Sequence, residues 1–187
     1  MPTMPIDKKA AYLAFLNDPD QAARQAELRS FFGPHADHFL KSYQQIRSAV
    51  IPSETGKRPG AFAGLPFEAA PFFVGACWFF YRKMWLYATV LVVVSIVLGL
   101  LPIPRIGLPF AIAIAFASGR LYIWHAITTI QSLRQPDGTI SEETLRANGG
   151  VSVLGGTISG VLYFLLIALA LFGIIVAART GQALPRY

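Results

Sequence analysis

Apolar positions first recur at helical spacing in the N-terminal fifty residues. Asp7 can cap a short helix that runs to Leu16, and Asp18–Pro19 offers an acceptor followed by a proline whose missing N–H is harmless in a first turn. That second helix should end near Phe31–Phe32, with Gly33 and Pro34 as stop signals. Phe39, Tyr43, Ile46 and Val50 then form one apolar stripe on a third helix. All three helices also have polar faces. Residues 1–50 therefore read as a set of cytosolic amphipathic helices docked on a membrane surface, with no cleavable leader because the apolar run AAYLAFL is short and stops at Asn17–Asp18–Pro19.

The pattern changes after a linker. Residues 51–66, with three Pro and three Gly, exclude a regular helix. Phe67–Tyr81 follows, 15 mostly apolar and aromatic residues. At about 1.5 Å per residue it is too short to cross a hydrocarbon core of about 30 Å. We expect an interfacial or partly re-entrant aromatic helix over 67–83. Three apolar runs come next, 84–101, 108–130 and 157–178, and each is read as a transmembrane helix. PIPRIGLP (102–109) is the far-side turn, 131–156 a cytosolic loop and 179–187 a tail. Within the loop, Thr139 and Glu142 have capping-box spacing, and Gly149–Gly150 would end the short helix they start. The expected fold is an all-α, integral membrane helical bundle of three spans with an N-terminal cytosolic helical region.

Charge sharpens this picture. Residues 1–83 carry ten Lys or Arg, all five Lys among them, against seven acids; residues 84–187 carry six Arg, no Lys and three acids. The net charge of +6 thus follows from basic residues near spans and requires no nucleic acid. With three spans, Lys57, Arg58, Arg82, Lys83, Arg134 and Arg146 lie on one side, and Arg105, Arg179 and Arg186 on the other. Six against three places the N-terminus in the cytosol. A fourth crossing by Phe67–Tyr81 would instead return the tail to the cytosol.

Candidate chemistry is sparse. Arg120 sits about twelve residues past the external turn, roughly 18 Å into the core, and needs to snorkel, to meet a lipid phosphate or to find a partner among Ser95, Ser118 and Tyr122. A bound or transported anion is the minor alternative. His125, with Tyr122 and Thr129 on its face, is read as a packing or interfacial residue, because no carboxylate lies near to make it a proton relay. Arg82, Lys83, Trp78 and Trp85 form a basic-aromatic belt suited to headgroups. His35 and His38 are read as a solvated helix start, and Cys77 as a small buried hydrophobe. Gly156-x-x-x-Gly160 and Gly155 with Ser159 form overlapping small-residue pairs that should pack the third span on the second or on another subunit; Gly173 and Ala177 continue the pattern. No phosphate-binding glycine loop, zinc spacing or Ser-His-Asp arrangement occurs, so we expect no catalytic residues, no metal and no cofactor.

Phe72-Phe73-Val74-Gly75 followed by Cys77-Trp78-Phe79-Phe80-Tyr81-Arg82-Lys83-Met84-Trp85-Leu86 resembles a family of small bacterial inner-membrane proteins classed only as a domain of unknown function. Phe31-Phe32-Gly33 with Ala36-Asp37, and Gly119-x-x-Tyr122-x-x-His125, add to a resemblance over roughly 25–135. Asn is the family's residue where this chain has Arg120, so the resemblance gives Arg120 no shared role. It implies a bacterial inner-membrane location and adds no activity. The expectation is a non-enzymatic structural or regulatory subunit of a larger membrane assembly, whose partners are lipids and other subunits or copies of itself. The alternatives are an ion or lipid-linked ligand handler using Arg120 and His125, and an anionic-lipid surface module.

Overall fold

The computed structural model describes residues 7–51, 67–100, 106–135 and 137–180. The linker 52–66, residues 101–105 of the expected far-side turn and the tail beyond 180, with Lys57, Arg58, Arg105 and Arg186, lie outside the described residues. All regular structure among the described residues is helical. In chain order the helices are α1 (Lys8–Leu16), α2 (Gln21–Phe32), a 3-10 turn at Gly33–His35, α3 (Ala36–Val50), α4 (Ala69–Val74), α5 (Ala76–Tyr81), α6 (Trp85–Leu100), α7 (Gly107–Leu133), α8 (Glu142–Asn148) and α9 (Val153–Thr180). They form two compact units. Unit 1 takes residues 1–68 and 116–150, and unit 2 takes 69–115 and 151–187.

Unit 1 has a conventional core. Asp7 caps α1 by accepting from the Lys9 N–H, and Asp20, two residues later than the sequence suggested, caps α2 by accepting from Ala23. Asp18 is drawn instead into a turn with Asp20 and an ion pair with Arg24. Of the α3 stripe, Val50 at its end is half-buried, and Phe39, Tyr43 and Ile46 are buried. They face Phe15, Phe31 and Phe32 and, from the second half of α7, Tyr122, Ile123, Ala126, Ile127 and Ile130, all with 1% exposure or less. Ring contacts join them, with Phe39 edge-on to Tyr122 at 4.7 Å and Phe32 tilted on Tyr122 at 5.2 Å. Each such side chain contributes roughly 1.5–3 kcal/mol by leaving water. The unit therefore extends beyond residues 1–50. Their three apolar stripes need a fourth helix to close over, and α7 provides it. α8 packs on α2. Its cap is Ser141, which accepts from Thr144, and not the Thr139 box; Thr139 is held by Asp137.

Unit 2 is built differently. The aromatic segment expected to be one helix is broken at Gly75, whose φ of +50° is open to glycine and strained for other residues. α4 and α5 result. α5 packs on both α6 and α9. At its end, Met84 N–H bonds to Phe79 C=O and Lys83 N–H to Phe80 C=O, the 6→1 and 5→2 pair of a Schellman turn. Lys83 occupies the left-handed position, φ +59°, where glycine is usual.

Among the described residues, two stretches are long and apolar enough to cross a membrane, Gly107–Leu133 and the run Glu142–Gly173 that takes in most of α9. Three were expected. The first, over 84–101, is shorter: α6 has 16 residues, about 24 Å.

Candidate functional site

The main contact of unit 2 is an antiparallel seam between α4–α5 and α9. Three bonds fix its register. Tyr163 Oη donates to Phe73 C=O at 3.0 Å, Cys77 Sγ to Ser159 C=O at 3.3 Å, and the Ser152 N–H to Tyr81 C=O at 2.7 Å. Glycines make the close approach possible. A Cβ on Gly156 would lie 2.7 Å from the Tyr81 ring, and one on Gly155 2.9 Å from the Trp85 ring and 3.1 Å from Phe80 C=O. The small-residue face of Gly155, Gly156 and Ser159 therefore packs on α5 and on Trp85 at the start of α6, where the second span or another subunit was expected. Space around Gly160 and Gly173 is open. Cys77 is half-buried at this seam, not fully buried.

The basic-aromatic belt divides at the same place. Arg82 is buried at 7% exposure, with its guanidinium over the Trp78 and Tyr81 rings at 5.9 and 5.7 Å. Trp78 is buried and Trp85 is exposed. Of the four belt residues, Trp85 and the half-buried Lys83 face outward.

Beyond the seam, α9 is bare. Phe164, Leu165, Leu166 and Ile167 are 65, 53, 66 and 38% exposed. At about 100° per residue, four consecutive positions look out on all sides of the helix. A helix apolar on all sides belongs in lipid or in a larger protein interior. α6 likewise exposes Val90, Val93, Ile96 and Val97.

In unit 1, Arg120, Tyr122 and His125 are parted. Arg120 is exposed, Tyr122 is fully buried in the aromatic core and His125 is half-buried. Five residues on a helix is a turn of about 140°, so Arg120 and His125 face different directions. Arg120 lies beside α1. Burial pushes the Tyr12 phenol up, and the Arg120 charge pulls it partly back. Tyr12 in turn lies tilted on Trp124, centroids 4.5 Å apart.

The polar clusters of unit 1 were not foreseen. Glu27 takes Arg24 at 2.6 Å and Arg134 at 2.9 Å, all three side chains at most 18% exposed, which ties the end of α7 to α2. His38 Nε2 meets the nearly buried Glu68 at 2.8 Å, while His35 is exposed. An open cleft of about 540 Å³ lies between α2 and α8, lined by Arg29, Ser30, Glu142 and Arg146 among others. Its two arginines are engaged by Asp37 and Glu142 at 2.8 and 2.6 Å. Among the described residues, no three ligating side chains gather as a metal site would require. The Glu27–Arg134 pair spans 107 positions, and only its opposite charges signalled it in the sequence.

No family model matches the chain, and neither a curated protein nor a solved structure is similar to it.

Proposed function

We propose that the chain is a non-catalytic integral membrane protein, a structural or regulatory subunit of a larger membrane assembly. In this reading α6, the first half of α7 and α9 enter the bilayer, and unit 1 is a helical domain on the cytosolic side of a bacterial inner membrane. One observation carries it: α9 presents large apolar side chains on all sides, a surface that water does not tolerate. The ion pairs of unit 1 support the non-catalytic part, since its clustered charges are matched to one another rather than held apart for acid–base work. The ion- or ligand-handling alternative draws less support, because Arg120 and His125 do not share a face.

The test is extraction of the full chain from its own membrane into lipid nanodiscs, with composition read by mass spectrometry. A second membrane protein at fixed stoichiometry, or a defined homo-oligomer, is expected. A lone monomer surrounded by lipid overturns the subunit reading. Recovery of the chain in the soluble fraction without detergent overturns the membrane reading.

A further inference from the structure

The outward face of α7 changes character along its length. Leu108, Ile112, Phe116, Arg120 and Trp124 follow one another at intervals of four, a stripe whose neighbours lie one turn apart and which winds about 40° around the helix at each step. The first three are 63, 40 and 36% exposed. Phe116 carries Phe67 beside it, rings 5.3 Å apart, and Phe67 is itself 50% exposed. One turn on, the stripe presents the exposed Arg120. One turn further, Trp124 is covered by Tyr12 of α1. After Arg120, the apolar Tyr122, Ile123, Ala126, Ile127 and Ile130 are spent on the core of unit 1. Their hydropathy therefore has a cause other than lipid.

Resting on the membrane reading above, we propose that the bilayer boundary on α7 lies between Phe116 and Arg120, with the Arg120 guanidinium against phospholipid phosphates and the Phe67–Phe116 pair at the top of the acyl chains. Apolar residues that end in aromatics and then a long cation are the sequence of chemistries that a bilayer presents from core to headgroup. An arginine at mid-depth would cost several kcal/mol, and at the boundary it costs little. A guanidinium also suits phosphate, which it can bind through two parallel N–H donors. From Gly107 to Phe116 is about 14 Å, against a hydrocarbon core of about 30 Å, so with this boundary the first half of α7 enters the bilayer without crossing it.

The experiment uses the full chain, with Cys77→Ala to remove the native thiol, in vesicles of phosphatidylethanolamine and phosphatidylglycerol. Single cysteines at 108, 112, 116, 120 and 124 carry nitroxide labels, and depth is read from collision with oxygen against a water-soluble nickel chelate. Depth should fall by about 6 Å for each step of four residues, reaching the phosphate level at 120 and water or protein at 124. A deepest reading at 120, with lipid exposure continuing at 124, overturns the boundary and restores a span centred on 108–130. Water exposure at all five positions overturns the membrane reading on which the boundary rests. In a second arm, phosphatidylglycerol retained through purification is measured for Arg120→Glu and Arg120→Lys. Several-fold loss in the first and near-native retention in the second are expected, and equal retention in both overturns the phosphate contact.

Discussion

The two units use the same kinds of side chain in opposite senses. In unit 1, apart from the Phe67–Phe116 pair, phenylalanine and tyrosine face inward and most charge faces outward, with Phe15, Phe31, Phe32, Phe39 and Tyr43 all at 2% exposure or less. In unit 2, Phe164 and Phe172 stand 65 and 66% exposed, and the close contacts are made by glycine, serine and backbone carbonyls. Each pattern suits a different surrounding. A water-facing unit gains stability by hiding apolar surface. A lipid-facing one gains nothing that way and relies on close packing and hydrogen bonds.

The contrast can be broken most forcefully at Tyr122. Tyr122→Ala should destabilise unit 1 by about 4 kcal/mol, whereas Phe172→Ala, a comparable truncation on α9, should change stability by less than about 0.5 kcal/mol; thermal unfolding in nanodiscs, followed by circular dichroism, compares them. Similar losses would erase the distinction. Next in size is Glu27→Ala, which leaves the Arg24 and Arg134 side chains without their shared carboxylate and should cost about 2–3 kcal/mol by the same measurement. Gly156→Ala probes the seam of unit 2. Its new methyl must displace the Tyr81 ring, at about 1–2 kcal/mol, and hydrogen exchange of α5 should quicken. The smallest effect concerns pH. Burial pushes the Tyr43 phenol up to about 12, more than the nearby Arg47 charge lowers it. The unfolded phenol ionises near 10, so its contribution is intact below that pH and fades as pH rises from about 10 to about 12. Tyrosinate absorbance should rise together with loss of unit 1 helicity.

Local features were legible from the sequence. The Asp7 cap, the Gly33–Pro34 stop and the α3 stripe follow from rules that act within a few residues. The second half of α7 was not. Tyr122 through Ile130 is apolar because α1–α3 cover it, and hydropathy gives the same signal for a helix wrapped in protein as for one wrapped in lipid. Arg120 consequently looked buried at mid-span, yet it is exposed beside Tyr12. The break at Gly75 was also missed. Fifteen mostly apolar residues read as one helix, and only the backbone angle shows that the glycine serves as a corner. The small residues of α9 were recognised as a packing face. Their partner was not, since spacing along one helix says nothing about which other helix will fill it.

The seam between α5 and α9 has a consequence for synthesis. Cys77 and Ser159 are 82 residues apart. At roughly 5–20 residues per second, the aromatic helix emerges roughly 4–16 s before the glycine face it packs on. For that interval α5 has no partner from its own C-terminal helix and must be sheltered by lipid or by the insertion machinery. A ribosome-arrested chain ending before Ser159 should therefore expose the Cys77 thiol to an alkylating reagent more fully than the finished protein does, and equal labelling would show that the seam is not what covers it.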